Sequence, residues 1–223
     1  MKTKNLFKSI PVIGVLFAFI LIMGCGKSEK EVKMTSGEKS SDNKGSVTLK
    51  VDTAASVLNW LGKKVTGQHN GTIKIAKGEI GMDNGKVISG SFDIDMKTII
   101  DLDLTDEEFN NKLITHLKSE DFFTAEKFPF SKFEITKVEP LSNPEKPEYN
   151  HTVSGNLTIK GISKGISFPA GLKFENGILT AIADFDIDRT EWNLKYGSGK
   201  FFENLGDKMI NDKFNISFKL IAK

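Results

Sequence analysis

The sequence predicts an all-β domain, an antiparallel sheet closed into a barrel or folded as a sandwich, with one amphipathic helix. Three observations predict it. Apolar and polar residues alternate along segment after segment between Val47 and Leu220, the period of strands with one wet face and one dry. Asn-Gly pairs at 84–85 and 176–177 stand between such segments, where they accept the positive φ angles of tight hairpins. The last alternation, Phe214, Ile216, Phe218, Leu220, runs almost to the C-terminus, and an unpaired edge that apolar invites aggregation, which favours closure.

Residues 1–24 read as a targeting segment. Lys2, Lys4 and Lys8 precede an apolar run, Ile10 to Met23, broken only by Gly14. The run is short for a membrane span and has signal-peptide flanks. It ends in Leu21-Ile22-Met23-Gly24-Cys25, which looks like a bacterial lipobox with cleavage before Cys25, whose thiol takes the lipid. Cys25 is the only cysteine, so no intramolecular disulfide forms. Removing three signal lysines from 31 basic and 29 acidic residues leaves 28 against 29. A net charge of about −1 with no basic stripe excludes an electrostatic nucleic-acid binder.

Residues 25–45 hold the lipidated cysteine and a tether. Nine of the twenty residues from Gly26 to Gly45 are charged, and only Val32 and Met34 are sizeable apolar ones. Such a stretch is expected to stay flexible, spanning about 25 Å root-mean-square. Residues 46–223 then form one domain with a sizeable core.

Val47–Val51 and Val57–Lys63 are short strands, and Gly67–Gly71 reads as a turn. From Thr72 to Met82 the apolar parity slips, from Ile73 and Ile75 to Ile80 and Met82, which predicts a β-bulge near Lys77-Gly78. Lys86–Met96 returns through the Asn84-Gly85 turn. Thr105 is placed to cap the helix, with Glu108 completing a capping box and Leu104 and Phe109 as its staple. Phe109, Leu113 and Leu117 share one helix face. Strands follow over Phe130–Val138, Val153–Lys160, Ile166–Phe174, Ile178–Ile187 and Phe214–Leu220, with an irregular piece over Asp188–Asp212.

The segment His116 to Phe133 holds five phenylalanines in twelve residues, Phe122, Phe123, Phe128, Phe130 and Phe133. Each ring left in water costs ~1.5–3 kcal/mol, so this crossing must lie against a large apolar surface. That surface is either a packed core or the mouth of a lipid-sized cavity.

His116-Leu117-Lys118-Ser119-Glu120-Asp121-Phe122-Phe123, then Lys127-Phe128-Pro129 with Phe133, resemble two motifs of the YceI-like domain family. Val153 to Lys164, VSGNLTIKGISK, and Phe185 to Trp192, FDIDRTEW, resemble two more in the same order. The stretch LNWLGKKVTGQHNGT departs from the family's pattern. The resemblance implies an eight-stranded lipocalin-like barrel that holds an amphiphilic long-chain lipid, typically a polyisoprenoid. It implies no catalytic activity, and an envelope location that agrees with the signal segment.

Fourteen of the 17 phenylalanines lie in residues 46–223, beside two Tyr and two Trp. Phenylalanine gives apolar area without a hydrogen-bonding handle, and an eight-stranded barrel is wide enough to fill with side chains or hold one ligand. Inward parity nominates Phe92, Ile94, Phe122, Phe133, Ile135, Leu157, Ile159, Phe168, Leu172, Ile182, Phe185, Phe214 and Phe218 as lining. Arg189, the only arginine, stands beside Trp192 and is expected either to hold a structural carboxylate or to meet a ligand headgroup.

His69, His116 and His151 lack paired ligand spacing, so no metal site is expected. Asp101 and Asp103, like Asp93/Asp95 and Asp184/Asp186/Asp188, read as solvated face rather than a calcium loop. No nucleophile–base order or phosphate loop is visible. The reading is a non-enzymatic, membrane-anchored envelope lipoprotein, on the outer membrane at its periplasmic or surface side. It takes a hydrophobic lipid and needs no cofactor besides that isoprenoid-type ligand. The alternative is a structural or interaction module with a packed barrel. Oligomeric state and the lipid's identity stay open.

Overall fold

A computed structural model describes residues 32–35, 37 and 45–223. The lipobox and Cys25 lie outside these residues. Ten strands and one helix follow in order: β1 (Lys33–Thr35), β2 (Val47–Lys50), β3 (Val57–Lys64), β4 (Gly67–Asp83), β5 (Lys86–Asp101), α1 (Glu107–Lys118), β6 (Phe130–Pro140), β7 (His151–Ile159), β8 (Ile162–Glu175), β9 (Ile178–Asp188) and β10 (Lys213–Ala222). All pairings are antiparallel. Strands β3 to β10 pair in sequence, and β10 returns to β3, so eight strands close a barrel. Strand β2 adds to β4 outside this ring. Among the described residues no helix is long and apolar enough to cross a membrane.

The hairpin turns follow from local chemistry. Asn84-Gly85 and Asn176-Gly177 both take positive φ at both positions, the twist that matches paired strands. Lys160-Gly161 does the same between β7 and β8. The bulge inferred from parity lies between Ile75 and Lys77. It lets Ile73, Ile75, Ile80 and Met82 all be buried despite the change of register.

Three local expectations are corrected. Gly67–Gly71 is not a turn; it opens β4, with Gln68 to Gly71 paired to Lys63 through Trp60, and the turn shrinks to Val65-Thr66. Gly71 is required there, because a Cβ would stand 1.8 Å from the Ile100 carbonyl oxygen. The helix cap is Asp106, whose carboxylate accepts from the Phe109 amide, and not Thr105. The staple does not form, since Phe109 is 59% exposed. Instead Asp101 accepts from the Leu104 amide, and Asn110 donates to the Leu104 carbonyl, which fixes the chain's entry into α1.

The tether is also shorter than expected. Lys33–Thr35 pair with Ser167–Gly165 of β8, and the Val32 amide donates to the Asp186 carbonyl of β9. The cause is a seam in the wall. Strands β8 and β9 pair only from Gly171–Glu175 to Ile178–Ile182, and they diverge beyond that point. The two apolar residues of the charged stretch fill the divergence, with Val32 buried and Met34 packed against the core.

The barrel has two unlike ends. One carries the tight β4–β5 and β8–β9 hairpins and the β6–β7 loop. The other, the helix end, carries the β3–β4 and β7–β8 turns, α1 with the crossing to β6, and the long β9–β10 connection, residues 189–212.

Candidate functional site

The barrel interior holds a cavity of about 540 Å³, within the usual range of ligand pockets. Its wall is built from the inward faces of the eight strands. Phe168 and Phe185 stack at 4.1 Å, Phe133 and Phe92 lie beside them at 5.7 Å from Phe168 and 6.2 Å from Phe133 respectively, and Phe218 meets Phe168 and Phe185 edge-on. Gly155 lets the Phe133 ring lie against β7, since a Cβ there would stand 2.5 Å from its Cζ.

Thirteen of the fourteen residues nominated from the sequence line this cavity: Phe92, Ile94, Phe122, Phe133, Ile135, Leu157, Ile159, Phe168, Leu172, Phe185, Arg189, Phe214 and Phe218. Ile182 does not. The alternation of β9 turns Leu179, Ala181, Ala183, Phe185 and Ile187 inward, so Ile182 faces out. Sequence reasoning missed Leu58, Trp60, Ile73, Ile75, Ile216, Leu113, Tyr196 and Ile210, which also line it. The first five were legible from parity. The last two come from the irregular 189–212 connection, which has no period to read.

Polar lining gathers at the helix end: Lys63, Lys64, Gln68, His69, Asp207, Lys208 and Asn211. The middle of the cavity is almost wholly aliphatic and aromatic, with Ser131 turned to the Met96 sulfur at 3.1 Å. His116 sits at this rim. Its ring stands edge-on between Phe122 at 4.9 Å and Tyr196 at 4.6 Å, and its Nε2 lies 2.9 Å from Asp121. Ser119 Oγ donates to the His116 carbonyl, closing the last turn of α1. The aromatic crossing therefore belongs to the cavity's rim, with Phe122 buried and Phe130 exposed.

Arg189 has a structural part. The guanidinium is buried and donates to the carbonyls of Leu194, Ile210 and Asn211, with the Asp212 carboxylate 3.7 Å away. Burial lowers its pKa, against the pull of Asp212 and Asp188. One cation thus satisfies three carbonyls of a connection that has no sheet to satisfy them. Trp192, fully buried, donates Nε1 to the Leu157 carbonyl and pins the same connection to β7.

His69, Asp101 and Asp103 come together, because Gly71 of β4 pairs with Asp101 of β5. Asp101 is 6% exposed and so is not solvated face. Burial raises its pKa, with the neighbouring Asp103 adding to the rise. Asp103 also feels burial, but the Asn70 amide and His69 outweigh it and hold its carboxyl below the ordinary value. The two neighbouring carboxyls are thus moved in opposite directions, Asp101 up and Asp103 down.

A closed eight-stranded antiparallel barrel around a lipid-sized apolar cavity defines a lipocalin-like binding fold. The family model of the YceI-like domain matches residues 49–222, and the chain belongs to that family. Two solved structures show the same fold. The crystal structure of Burkholderia cenocepacia BcnA has 23% identity and a TM-score of 0.59, covering 78% of this chain and 99% of that one. A polyisoprenoid binding domain from Saccharophagus degradans, implicated in plant cell wall breakdown, has 13% identity and a TM-score of 0.55, covering 78% and 97%. No curated protein matches this chain.

Proposed function

We propose that this chain is an envelope lipoprotein whose barrel binds a long-chain amphiphilic lipid of the polyisoprenoid type, for storage or transport. The observation that carries the reading is the polarity gradient of the cavity. An apolar middle accepts a hydrocarbon tail, and the polar groups gathered at the helix end suit a headgroup. Ten buried methylene equivalents give roughly 8 kcal/mol gross before the cost of ordering the chain, so the tail alone supplies most of the affinity. The S. degradans domain described as polyisoprenoid-binding shares this fold and supports the same ligand class. The reading assigns binding and no reaction. The lipobox ending at Cys25 supports a membrane anchor at the chain's mature N-terminus.

Native mass spectrometry of the mature chain tests the reading. The expected result is a co-purifying hydrophobic mass that is lost from Leu157→Asp while the fold persists by circular dichroism. A clean protein mass from several expression hosts would sink it and leave a structural module. Replacing Cys25 by serine is expected to move the domain from the membrane to the soluble fraction; unchanged membrane retention would remove the anchor.

A further inference from the structure

The cluster of His69, Asp101 and Asp103 holds a buried carboxylate oxygen that the fold leaves without a partner. Register builds the cluster. Gly71 of β4 pairs with Asp101 of β5, and the Leu102 amide donates to the Asn70 carbonyl, so the next step sets His69 opposite Asp103. Alternation puts His69 on the face of Ile73 and Asp101 on the face of Ile99. Ile73, Ile99 and His69 all line the cavity. The cluster thus stands on the inward face of the wall, at the helix end.

Each carboxylate is held through one oxygen. Asp101 Oδ1 accepts from the Leu104 amide at 2.8 Å and from Asn110 Nδ2 at 3.3 Å. Asp103 Oδ1 accepts from the Asn70 amide at 2.7 Å. The second oxygens remain. Asp103 Oδ2 meets His69 Nδ1 at 2.9 Å, whereas Asp101 Oδ2 is buried with no hydrogen-bond partner among the described residues. Burying such an oxygen unpaired is costly, and Asp101 is only 6% exposed. Among the described residues no lysine or arginine forms an ion pair with either carboxylate; the one ionic partner is His69, on Asp103. Two carboxylates and one imidazole therefore meet with negative charge in excess.

A divalent cation answers both the charge and the orphaned oxygen. One ligand atom from each of the three residues lies within 4.8 Å of the others. Ligands around a tetrahedral zinc at ~2.0–2.2 Å stand ~3.4 Å apart, so small side-chain rotations bring all three onto one ion. The Leu104, Asn70 and Asn110 donors already fix the carboxylates, as the outer partners of metal ligands do. One imidazole with two carboxylates suits a first-row transition ion; calcium takes six to eight oxygens. His69 and Asp103 are part exposed, which gives the ion a way in.

We propose that His69 and the Asp101 and Asp103 carboxylates form a zinc-binding site at the helix end of the barrel. Three protein ligands leave the ion at least one position open to water. The ion fastens the start of β4 to the segment leading into α1, because Leu104 and Asn110 are both tied to Asp101. The site does not depend on what the cavity carries.

Zinc chloride titration of the tag-free mature Cys25→Ser chain, dialysed against EDTA, tests it by calorimetry and native mass spectrometry. The serine removes the only thiol that competes for the metal. The expected result is one zinc per chain. His69→Ala and Asp103→Asn, both at part-exposed positions, are each expected to weaken binding about 100-fold or more. His151→Ala, beside Asn150 at the hairpin end, is expected to leave it unchanged. Excess zinc is expected to raise the melting temperature of the parent and slow amide exchange over 101–110, and to do neither in His69→Ala. Calcium is expected to give no such shift. Absence of zinc uptake, uptake unchanged in both ligand variants, or an equal response to calcium overturns the site. In the first case a proton shared with Asp103 is what satisfies Asp101.

Discussion

Replacing Ala181 by phenylalanine separates a ligand cavity from a packed core, because the two respond with opposite signs. Ala181 lies on the inward face of β9 and lines the cavity. At ~30 Å³ for a water-sized group, the 540 Å³ cavity takes on the order of 18 such groups. The six ring carbons added at position 181 occupy about a third of that space. Each methylene of ligand displaced forfeits ~0.8 kcal/mol, so the variant gives up about 5 kcal/mol of gross binding, on the order of a thousandfold in affinity. In delipidated protein the same ring enters open space and covers apolar wall. Its unfolding free energy in urea is therefore expected within ~1 kcal/mol of the parent, or above it. A core without a cavity would instead lose ~1–3 kcal/mol to overpacking. Urea unfolding gives the stability, and titration with the fluorescent polyene cis-parinaric acid gives the affinity. Lower stability together with unchanged probe affinity would refute the cavity as the binding site.

Three further outcomes follow from the structure. Arg189→Lys keeps the charge but not the fork that serves the Leu194, Ile210 and Asn211 carbonyls; it is expected to cost about 2–3 kcal/mol and to speed amide exchange across 190–212 by hydrogen-exchange mass spectrometry. Unaltered exchange there would contradict the assigned part. Val32→Asp places a carboxylate in the seam between β8 and β9; it is expected to release β1, read as proteolysis before Val47, with the barrel itself intact. Asp188 feels burial, but Lys200 and Thr190 outweigh it and hold its carboxyl below the ordinary value. Its stabilisation is present above the unfolded value near pH ~3.9 and lost as pH falls through the folded one. Asp188→Asn is therefore expected to melt lower at neutral pH yet lose less between about pH 5 and pH 2, and a parallel melting profile would refute the linkage.

The sheet was legible because each strand carries its own signal. Alternation gives the inward face, Asn-Gly the turns, and the slip from Ile75 to Ile80 the bulge. What was not legible depends on partners distant in sequence. Gly67-Gln68-His69-Asn70-Gly71 has turn composition, and its strand exists because β3 supplies a mate and Gly71 allows close approach to Ile100. Strand β1 lies in a charged stretch and forms only because β8 and β9 part above Gly171. The wall of the cavity followed from parity, and the one misplaced residue, Ile182, broke that same rule. Tyr196 and Ile210 sit in a connection held by Arg189 and Trp192, where no period exists to read. His69 met Asp101 and Asp103 through β4–β5 register, which histidine spacing alone does not encode.

The most direct measurement is a crystal structure of the protein purified from its native host without delipidation. The account places a continuous tail beside the stacked Phe168 and Phe185 rings, with a polar head toward Lys63, His69 and Asn211 at the helix end. A tail running the other way, or side chains collapsed to fill the 540 Å³, would contradict it.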